Sequence, residues 1–222
     1  MWHCLIVEAV FSFVDLAGFT AATDAHGDDT AADLALHLIA ETETTLLADQ
    51  RLVKSVGDAV LVTSPSPDSA IEWVGRLLPR LRAQASFPLA RVGLHFGNAV
   101  ERGSDVFGAA VNIAARITAL ALPGQVLASA VVAGSARALG IEVTDLGGTW
   151  LRNVAEPVVL FELRLAGSGY GGAIDPVCQM PVDRDSAAGK LRHGGREYWF
   201  CSLECTAQFA ARPASYVAEN SA

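Results

Sequence analysis

Apolar residues recur in two patterns along the first 165 positions, and these patterns divide that part of the chain into strands and helices. The run from Leu5 to Val14 is apolar apart from Glu8 and Ser12, which predicts a strand that ends at Asp15. Helical spacing and β-branched runs predict the remaining elements. The predicted helices are 28–50, 67–85, 108–121 and 131–139, and the further strands are a hairpin at 51–63 and 91–100, 125–129, 141–145 and 158–165. Because these elements interleave without the regular period of a doubly wound fold, an α+β class is favoured.

The hairpin at 51–63 is the most informative of these elements. Its two β-branched runs meet at Gly57-Asp58, a residue pair that tight hairpin turns prefer. Lys54 lies among apolar neighbours, where a purely structural strand rarely carries a lysine. Taken alone, the segment is a surface hairpin with a turn aspartate and a solvated lysine. A functional interpretation therefore needs a second carboxylate near its tip.

Composition and charge exclude several classes of function. The chain has 222 residues, of which 51% are hydrophobic and 18% are charged, which suits one well-filled domain and a small module. The formal net charge is −8, so no general affinity for nucleic acid is expected. The apolar run at 5–14 is too short to cross a bilayer, and no basic region precedes it. We therefore expect a cytoplasmic protein without nucleic-acid or membrane partners.

The four cysteines are distributed unevenly. Cys4 stands alone, whereas Cys178, Cys201 and Cys205 lie together in the last fifth of the chain. In a reducing cytosol such clustering favours metal or redox chemistry over a structural disulfide. A glycine- and serine-rich segment at 166–173 precedes these three cysteines and is predicted to be a flexible linker between two domains.

Two aspartates are candidates for a metal site. Asp15 follows the first strand where the backbone leaves the sheet, and Asp58 lies in the hairpin turn. If that strand lies beside the hairpin, the two carboxylates face each other and repel unless a cation joins them. Together with phosphate oxygens they would form a two-metal site for in-line displacement. The alternative for Asp15 is an ordinary helix N-cap or turn residue.

A polar pair interrupts the apolar helix predicted at 108–121. Asn112 and Arg116 are four residues apart and therefore share one face of that helix. Arginine offers planar, permanently charged donors, which suit the phosphate oxygens of a transition state. The structural alternative is a solvated stripe on the helix surface.

Five segments taken together resemble the catalytic domain of class III nucleotide cyclases. They are F-V-D-L-A-G-F-T (13–20), K-S-V-G-D-A-V (54–60), G-L-H-F-G-N (93–98), D-V-F-G-A-A-V-N-I-A-A-R (105–116) and P-G-Q-V-L-A-S (123–129). The resemblance covers roughly residues 5–165, and we assign the domain to 1–165. It implies a ferredoxin-like core of sheet and helices that works as a homodimer. Seven residues separate Gly97 from Asp105, which resembles the short-arm subgroup of the family.

The resemblance also implies roles for individual residues. Asp15 and Asp58 would hold two Mg²⁺ or Mn²⁺ ions per active site. Asn112 would orient the ribose, and Arg116 would stabilise the pentavalent phosphorus while the ribose 3′-oxygen attacks the α-phosphate and pyrophosphate leaves. Each of these positions carries the residue type that the family uses.

Lys54 and Asp105 would contact the purine, and their chemistry indicates which purine. Lysine only donates hydrogen bonds, and an ionised aspartate only accepts them. Adenine offers an acceptor at N1 and a donor at its 6-amino group, so both contacts match. Guanine reverses both groups and would leave buried polar atoms unpaired, at a cost of about 1–3 kcal/mol per group. ATP is therefore the expected substrate.

The C-terminal segment at 174–218 resembles a YHS domain. The similarity lies in D-P-V-C-Q-M (175–180), E-Y-W-F-C-S-L-E-C (197–205) and F-A-A-R-P-A-S-Y (209–216). Ser202 is predicted to cap a helix and so to put Cys205 in its first turn, where the positive helix end lowers the pKa of a thiol.

Three thiolates, those of Cys178, Cys201 and Cys205, suit zinc or copper. The fourth ligand is open between Met180, His193, water and a partner chain, and the structural alternative is three buried cysteines. His26, in the first domain, is predicted to lie on the surface.

These observations predict an adenylate cyclase whose C-terminal domain binds a metal and is a candidate regulator of it. A second hypothesis is a non-catalytic metal-sensing or interaction protein on a cyclase scaffold. A third, a generic ferredoxin-like nucleotide-binding module, explains the fold but does not account for Asn112 and Arg116.

Overall fold

The computed structural model describes residues 5–217 and has the α+β class that the sequence predicts. Cys4 lies outside the described residues. The strands are β1 (Leu5–Leu16), β2 (Arg51–Val56), β3 (Ala59–Ser64), β4 (Ala90–Arg102), β5 (Asp105–Phe107), β6 (Val126–Ser129), β7 (Val143–Thr149), β8 (Val158–Leu163), β9 (Ala173–Ile174), β10 (Pro181–Val182), β11 (Gly189–His193) and β12 (Arg196–Phe200). The helices are α1 (Phe19–His26), α2 (Asp28–Thr45), α3 (Pro67–Ala83), α4 (Ala109–Leu120), α5 (Ala130–Ala138) and α6 (Leu203–Ala211), followed by a 3₁₀ turn at Pro213–Ser215.

Eight strands form one mixed sheet in the order β2-β3-β1-β4-β6-β8-β7, with β5 paired to β4. Strands β4 and β6 run parallel, and the other pairs in this sheet are antiparallel. The first four strands lie in the order β4-β1-β3-β2, with helices between β1 and β2 and between β3 and β4. This is the β-α-β-β-α-β arrangement of a ferredoxin-like fold.

Each face of the sheet packs against different helices, because side chains alternate along a strand. On one face, Val10 and Val14 of β1 join a core with α2, α3 and α5. On the other face, Ala9 and Phe11 pack against α4. Asp15 continues this second alternation, so it belongs to the face that α4 covers.

The segment after β1 differs from the expectation. The sequence predicted a strand that ends at Asp15 and a first helix at 28–50, whereas the structure has α1 before α2, and α2 ends at Thr45. Gly18 starts α1 with φ 74°, and Gly27 separates the two helices with φ 87°, both in the left-handed region that favours glycine. Helix α1 has eight residues and Ala22 is its buried residue, so it leaves little apolar periodicity to detect.

The C-terminal segment lies against the first domain. Tyr170, in the predicted linker, donates a hydrogen bond to the Val182 carbonyl (2.9 Å), and the Arg82 guanidinium lies 4.5 Å from the centre of its ring. A β-carbon added at Gly18 would come within 2.2 Å of the β-carbon of Gln179, so the loop at 175–180 packs on the start of α1. Among the helices within residues 5–217, none has the length and apolar character needed to cross a membrane.

Candidate active site and metal centre

Asp15 and Asp58 meet where β1 ends beside the β2–β3 turn. Asp15 is opposite Ala59 in the antiparallel register, and the Leu16 amide donates a hydrogen bond to the Asp58 carbonyl (3.2 Å). Burial raises the pKa of Asp58, and the negative charge of Asp15 raises it further. The structure therefore brings together the two carboxylates predicted to hold metal, and their oxygen atoms are the donors that Mg²⁺ and Mn²⁺ prefer.

Arg91 is a third member of this group, which the sequence did not reveal. It lies opposite Asp15 in the β1–β4 ladder, and its guanidinium forms an ion pair with the Asp15 carboxylate. The positive charge of Arg91 also lowers the pKa of Asp58, although burial outweighs this effect. The two residues are 76 positions apart, so only strand pairing brings them together.

The two predicted purine contacts form an ion pair with each other. Lys54 Nζ lies 2.8 Å from Asp105 Oδ2, and Asp105 Oδ1 accepts a hydrogen bond from the Val106 amide (2.8 Å). The hydrogen bond from Lys54 lowers the pKa of Asp105, which favours the ionised acceptor. The ammonium group also lies 5.7 Å from the centre of the Phe107 ring. Strand β5, which is not among the strands predicted from the sequence, carries Asp105 to this position.

Lys54 and Asp15 share one face of the sheet. Lys54 is opposite Leu61 in the β2–β3 ladder, and Leu61 belongs to the core that packs against α4. Since directly paired residues point to the same face, Lys54 lies on the α4 side. Lys54 and Asp15 therefore both lie on the face of the sheet that, among the helices of the described residues, only α4 covers.

Asn112 and Arg116 project from α4, as their spacing predicts. Asn112 is exposed and Arg116 is half-buried, while Ala110, Val111 and Ala114 anchor the helix to the sheet. Within residues 5–217, neither polar side chain forms a hydrogen bond or an ion pair, so the structure does not join them to the aspartates of their own chain.

In the C-terminal segment, Asp175 organises the cysteine loop. Its carboxylate is fully buried and accepts hydrogen bonds from the amides of Val177 and Cys201, both at 2.8 Å. Burial raises the pKa of Asp175. The side chain thus ties the loop that carries Cys178 to the end of β12, where Cys201 follows.

The predicted cap at Ser202 is confirmed, since its Oγ accepts a hydrogen bond from the Cys205 amide (3.1 Å) and Cys205 lies in the first turn of α6. The three thiols are free and close together, with Cys178 Sγ 3.3 Å and Cys205 Sγ 3.9 Å from Cys201 Sγ. Hydrogen bonds from Cys178 and then Cys201 lower the pKa of Cys205, so one thiolate is favoured within the cluster.

His26 is the nitrogen donor next to these thiols, and its prediction as a surface residue is wrong. It is half-buried in the last turn of α1, with Nε2 3.8 Å from Cys201 Sγ and 3.9 Å from Cys205 Sγ. The ligand atoms of His26 and the three cysteines all lie within 4.8 Å of one another, so this group can hold a metal ion. By contrast, His193 is exposed and its ring packs against Phe209 (6.0 Å between centroids). No local signal marks His26, because it lies 175 residues before Cys201.

Comparison with protein families identifies the C-terminal segment. The YHS domain model matches residues 173–220. The matched residues include the loop of Cys178, the β11–β12 hairpin and α6.

Adenylate cyclases are among the curated proteins and solved structures that resemble this chain. A pH-sensitive adenylate cyclase of Mycobacterium tuberculosis is 33% identical over 176 residues, which are 75% of this chain and 43% of that protein. An uncharacterised protein of Mycobacterium bovis is 40% identical over 167 residues, 71% of this chain and 41% of that protein. The chain thus spans less than half the length of these relatives. The crystal structure of the adenylyl cyclase CyaB from P. aeruginosa matches with a TM-score of 0.62 at 20% identity, covering 73% of this chain and 96% of that chain. At this identity, the likeness shows a shared fold.

Proposed function

Because the chain joins a class III nucleotide cyclase catalytic domain to a YHS domain, we propose that it is an adenylate cyclase. It would convert ATP into 3′,5′-cyclic AMP and pyrophosphate. The relative described as a pH-sensitive adenylate cyclase supports this activity. We assign the cyclase domain to 1–165, the linker to 166–173 and the YHS domain to 174–218.

The ion pair of Lys54 and Asp105 is the observation that carries the choice of ATP. Lys54 uses one of its three donors in this pair, and Asp105 keeps lone pairs on both oxygens. With substrate bound, Lys54 could donate to N1 of adenine and Asp105 could accept from the 6-amino group. Without substrate, the two residues remain paired with each other. A guanine base in the same position presents a donor and an acceptor in the opposite order.

Asp15 and Asp58 would hold two Mg²⁺ or Mn²⁺ ions at the triphosphate. When bound, such ions neutralise phosphate charge and lower the pKa of the ribose 3′-hydroxyl. Arg91 would keep the Asp15 carboxylate in position through their ion pair. Its permanent charge also offsets the repulsion between the two carboxylates before the substrate arrives.

Asn112 and Arg116 would act on the reacting centre. Asn112 would hydrogen-bond to the ribose and direct the 3′-oxygen toward the α-phosphorus. The new oxygen–phosphorus bond forms as the bond to the β-phosphate oxygen breaks, the hydroxyl proton passes to solvent, and pyrophosphate leaves with the bonding electrons. Arg116 would donate to the α-phosphate oxygens as negative charge develops there.

A homodimer would bring these two groups of residues to the same nucleotide. Asn112 and Arg116 are unpaired within the described part of their own chain, which leaves them free to meet a nucleotide held by Asp15 and Asp58 of a second protomer. Val56 in the hairpin and Phe107 in β5 are 61% and 51% exposed, and such apolar surface is suited to an interface. Two-fold symmetry would then create two equivalent sites.

Product formation by the purified full-length chain tests the proposal. With Mn²⁺, we expect cyclic AMP from ATP, faster than cyclic GMP from GTP. Arg116→Ala should lower kcat by about 10²–10³-fold, the usual effect of losing one donor to a transition-state oxyanion. Arg76→Ala, which removes an exposed arginine of α3, is the matched control and should remain near wild type. Faster turnover of GTP, or no cyclic nucleotide at all, would contradict the assignment.

A non-catalytic metal-sensing protein is the second candidate. The ion pair of Arg91 with Asp15 favours it, because this arginine already neutralises a carboxylate needed for catalysis. Under this hypothesis, wild type and Asp15→Ala would form equally little cyclic AMP in the same assay.

A further inference from the structure

The cysteine cluster of the YHS domain includes a residue of the other domain. We propose that His26, Cys178, Cys201 and Cys205 form a closed tetrahedral zinc site that fastens the YHS domain to helix α1. The inference concerns metal binding and domain contact, so it holds or fails independently of the cyclase activity proposed above.

The spacing of the four donor atoms supports this coordination. In a tetrahedral site with Zn–S bonds of about 2.3 Å and a Zn–N bond of about 2.0 Å, sulfur atoms lie about 3.8 Å apart, and sulfur and nitrogen lie about 3.5 Å apart. Cys201 Sγ lies 3.3 Å from Cys178 Sγ and 3.9 Å from Cys205 Sγ, and His26 Nε2 lies 3.8 and 3.9 Å from the sulfurs of Cys201 and Cys205. The two remaining pairs, Cys178 with Cys205 and with His26, are within 4.8 Å. Small side-chain rotations would bring all four atoms to bonding distance around one centre.

The donor set selects the metal and the type of site. Three thiolates and one imidazole are the Cys₃His ligand set of structural zinc sites. The carboxylate of Asp175 lies nearby, but both of its oxygens accept backbone hydrogen bonds, so it orients the cysteines from outside the group. Cys178 and Cys205 are 1% and 0% exposed, which excludes solvent from their side of the cluster. Four protein ligands leave no open coordination position, as expected for a structural ion.

The zinc would attach the C-terminal end of α1 to the YHS domain, whose loop already packs on the N-terminal end of this helix. The loop at 175–180 packs on Gly18, which starts α1 three residues after Asp15, and His26 ends the helix. With zinc bound, both ends of α1 would be attached to the YHS domain. The zinc would link His26 to Cys201, which is 175 residues later in the chain, and to Cys205, which is 179 residues later. Cross-links that close such long loops restrict the unfolded chain most. Zinc occupancy would thereby control the mobility of the segment that follows Asp15.

Zinc titration of the full-length chain tests the ligand set. The protein is stripped with a chelator and titrated with Zn²⁺ in competition with a chromophoric chelator. We expect one zinc per chain in wild type and more than tenfold weaker binding in His26→Ala, since losing even an outer-shell partner costs about 10–100-fold. His193→Ala, the matched control within the YHS domain, should bind like wild type.

Two further measurements separate a lost ligand from a lost fold. His26→Cys should regain tight binding, and its Co²⁺ complex should show the changed absorption of a fourth thiolate. In hydrogen exchange, Zn²⁺ should protect residues 19–26 of wild type but not of His26→Ala. Circular dichroism with chelator should be the same for all variants. The proposal is overturned if wild type binds no zinc, if His26→Ala binds it as tightly as wild type, or if zinc protects 175–205 and leaves 19–26 unchanged.

Discussion

Lys54 and Asp105 are 51 residues apart in the chain, yet their charged atoms lie 2.8 Å apart between β2 and β5. About a third of each side chain is exposed, so the pair adds less than about 1 kcal/mol to stability. Both residues keep free hydrogen-bonding groups, since Lys54 uses one of its three donors in the pair and Asp105 keeps lone pairs on both oxygens. The pair is therefore better suited to recognising a ligand than to stabilising the fold.

The choice between ATP and GTP should depend on this pair. We expect the double variant Lys54→Glu, Asp105→Cys to lose much of the preference for ATP, because its donors and acceptors no longer match adenine alone. The ratio of kcat/KM for the two nucleotides measures the effect. Lys190→Glu with Glu197→Cys is the control, since these residues form a 2.8 Å ion pair on the β11–β12 hairpin. An unchanged ratio in the Lys54, Asp105 variant would show that other residues select the base.

Removing the charge of Asp58 should stabilise the metal-free protein while it abolishes activity. Asp58 is half-buried beside Asp15, and both burial and repulsion raise its pKa, so the ionised form is unfavourable in the folded state. At neutral pH with a chelator, we expect Asp58→Asn to raise Tm. Asp33→Asn, at an exposed position of α2, should leave Tm nearly unchanged. A lower Tm for Asp58→Asn would mean that Arg91 and the turn already stabilise the charge.

Mixing two inactive variants should restore activity if the sites are shared between protomers. Asp15→Ala, Asp58→Ala lacks the metal carboxylates, and Asn112→Ala, Arg116→Ala lacks the groups at the reacting centre. Random mixing makes half of the dimers heterodimers, each with one intact site of two. Cyclic AMP formation should therefore recover to roughly a quarter of wild type.

The dimer also determines how this recovery depends on concentration. If the short arm between Gly97 and Asp105 makes association weak, recovery should rise with protein concentration. Each variant measured alone at the same total concentration is the control. A mixture that stays inactive where ultracentrifugation detects dimers would refute the shared site.

The YHS domain should lose its metal when its thiolates are removed. We expect about one zinc per chain in wild type and none in Cys201→Ser, Cys205→Ser. Affinity should fall as pH falls, because protons compete with the metal for the thiolates. Met180→Leu preserves side-chain volume but removes the other nearby sulfur, and it should retain the metal. Equal metal content in the double serine variant and in wild type would contradict this ligand set.

The sequence by itself determined the features that depend on neighbouring residues. The Gly57-Asp58 pair predicts the hairpin because few other residues suit so tight a turn, and the structure has β2 and β3 on either side of it. Ser202 predicts a helix start because its hydroxyl can accept from an amide three residues on, and it accepts from Cys205. The motifs around Asp15, Lys54, Asp105 and Arg116 likewise indicated a cyclase, since each role requires one residue type at one spacing.

Only the tertiary structure decided which distant residues meet. Arg91 reaches Asp15 because β1 and β4 pair in one particular register, and a shift by one residue would turn Arg91 to the opposite face. His26 reaches Cys201 and Cys205 because the YHS domain packs on α1, a helix too short to detect from apolar spacing. Neither contact leaves a local pattern in the sequence, since each is the result of burying apolar surface between elements that lie far apart along the chain.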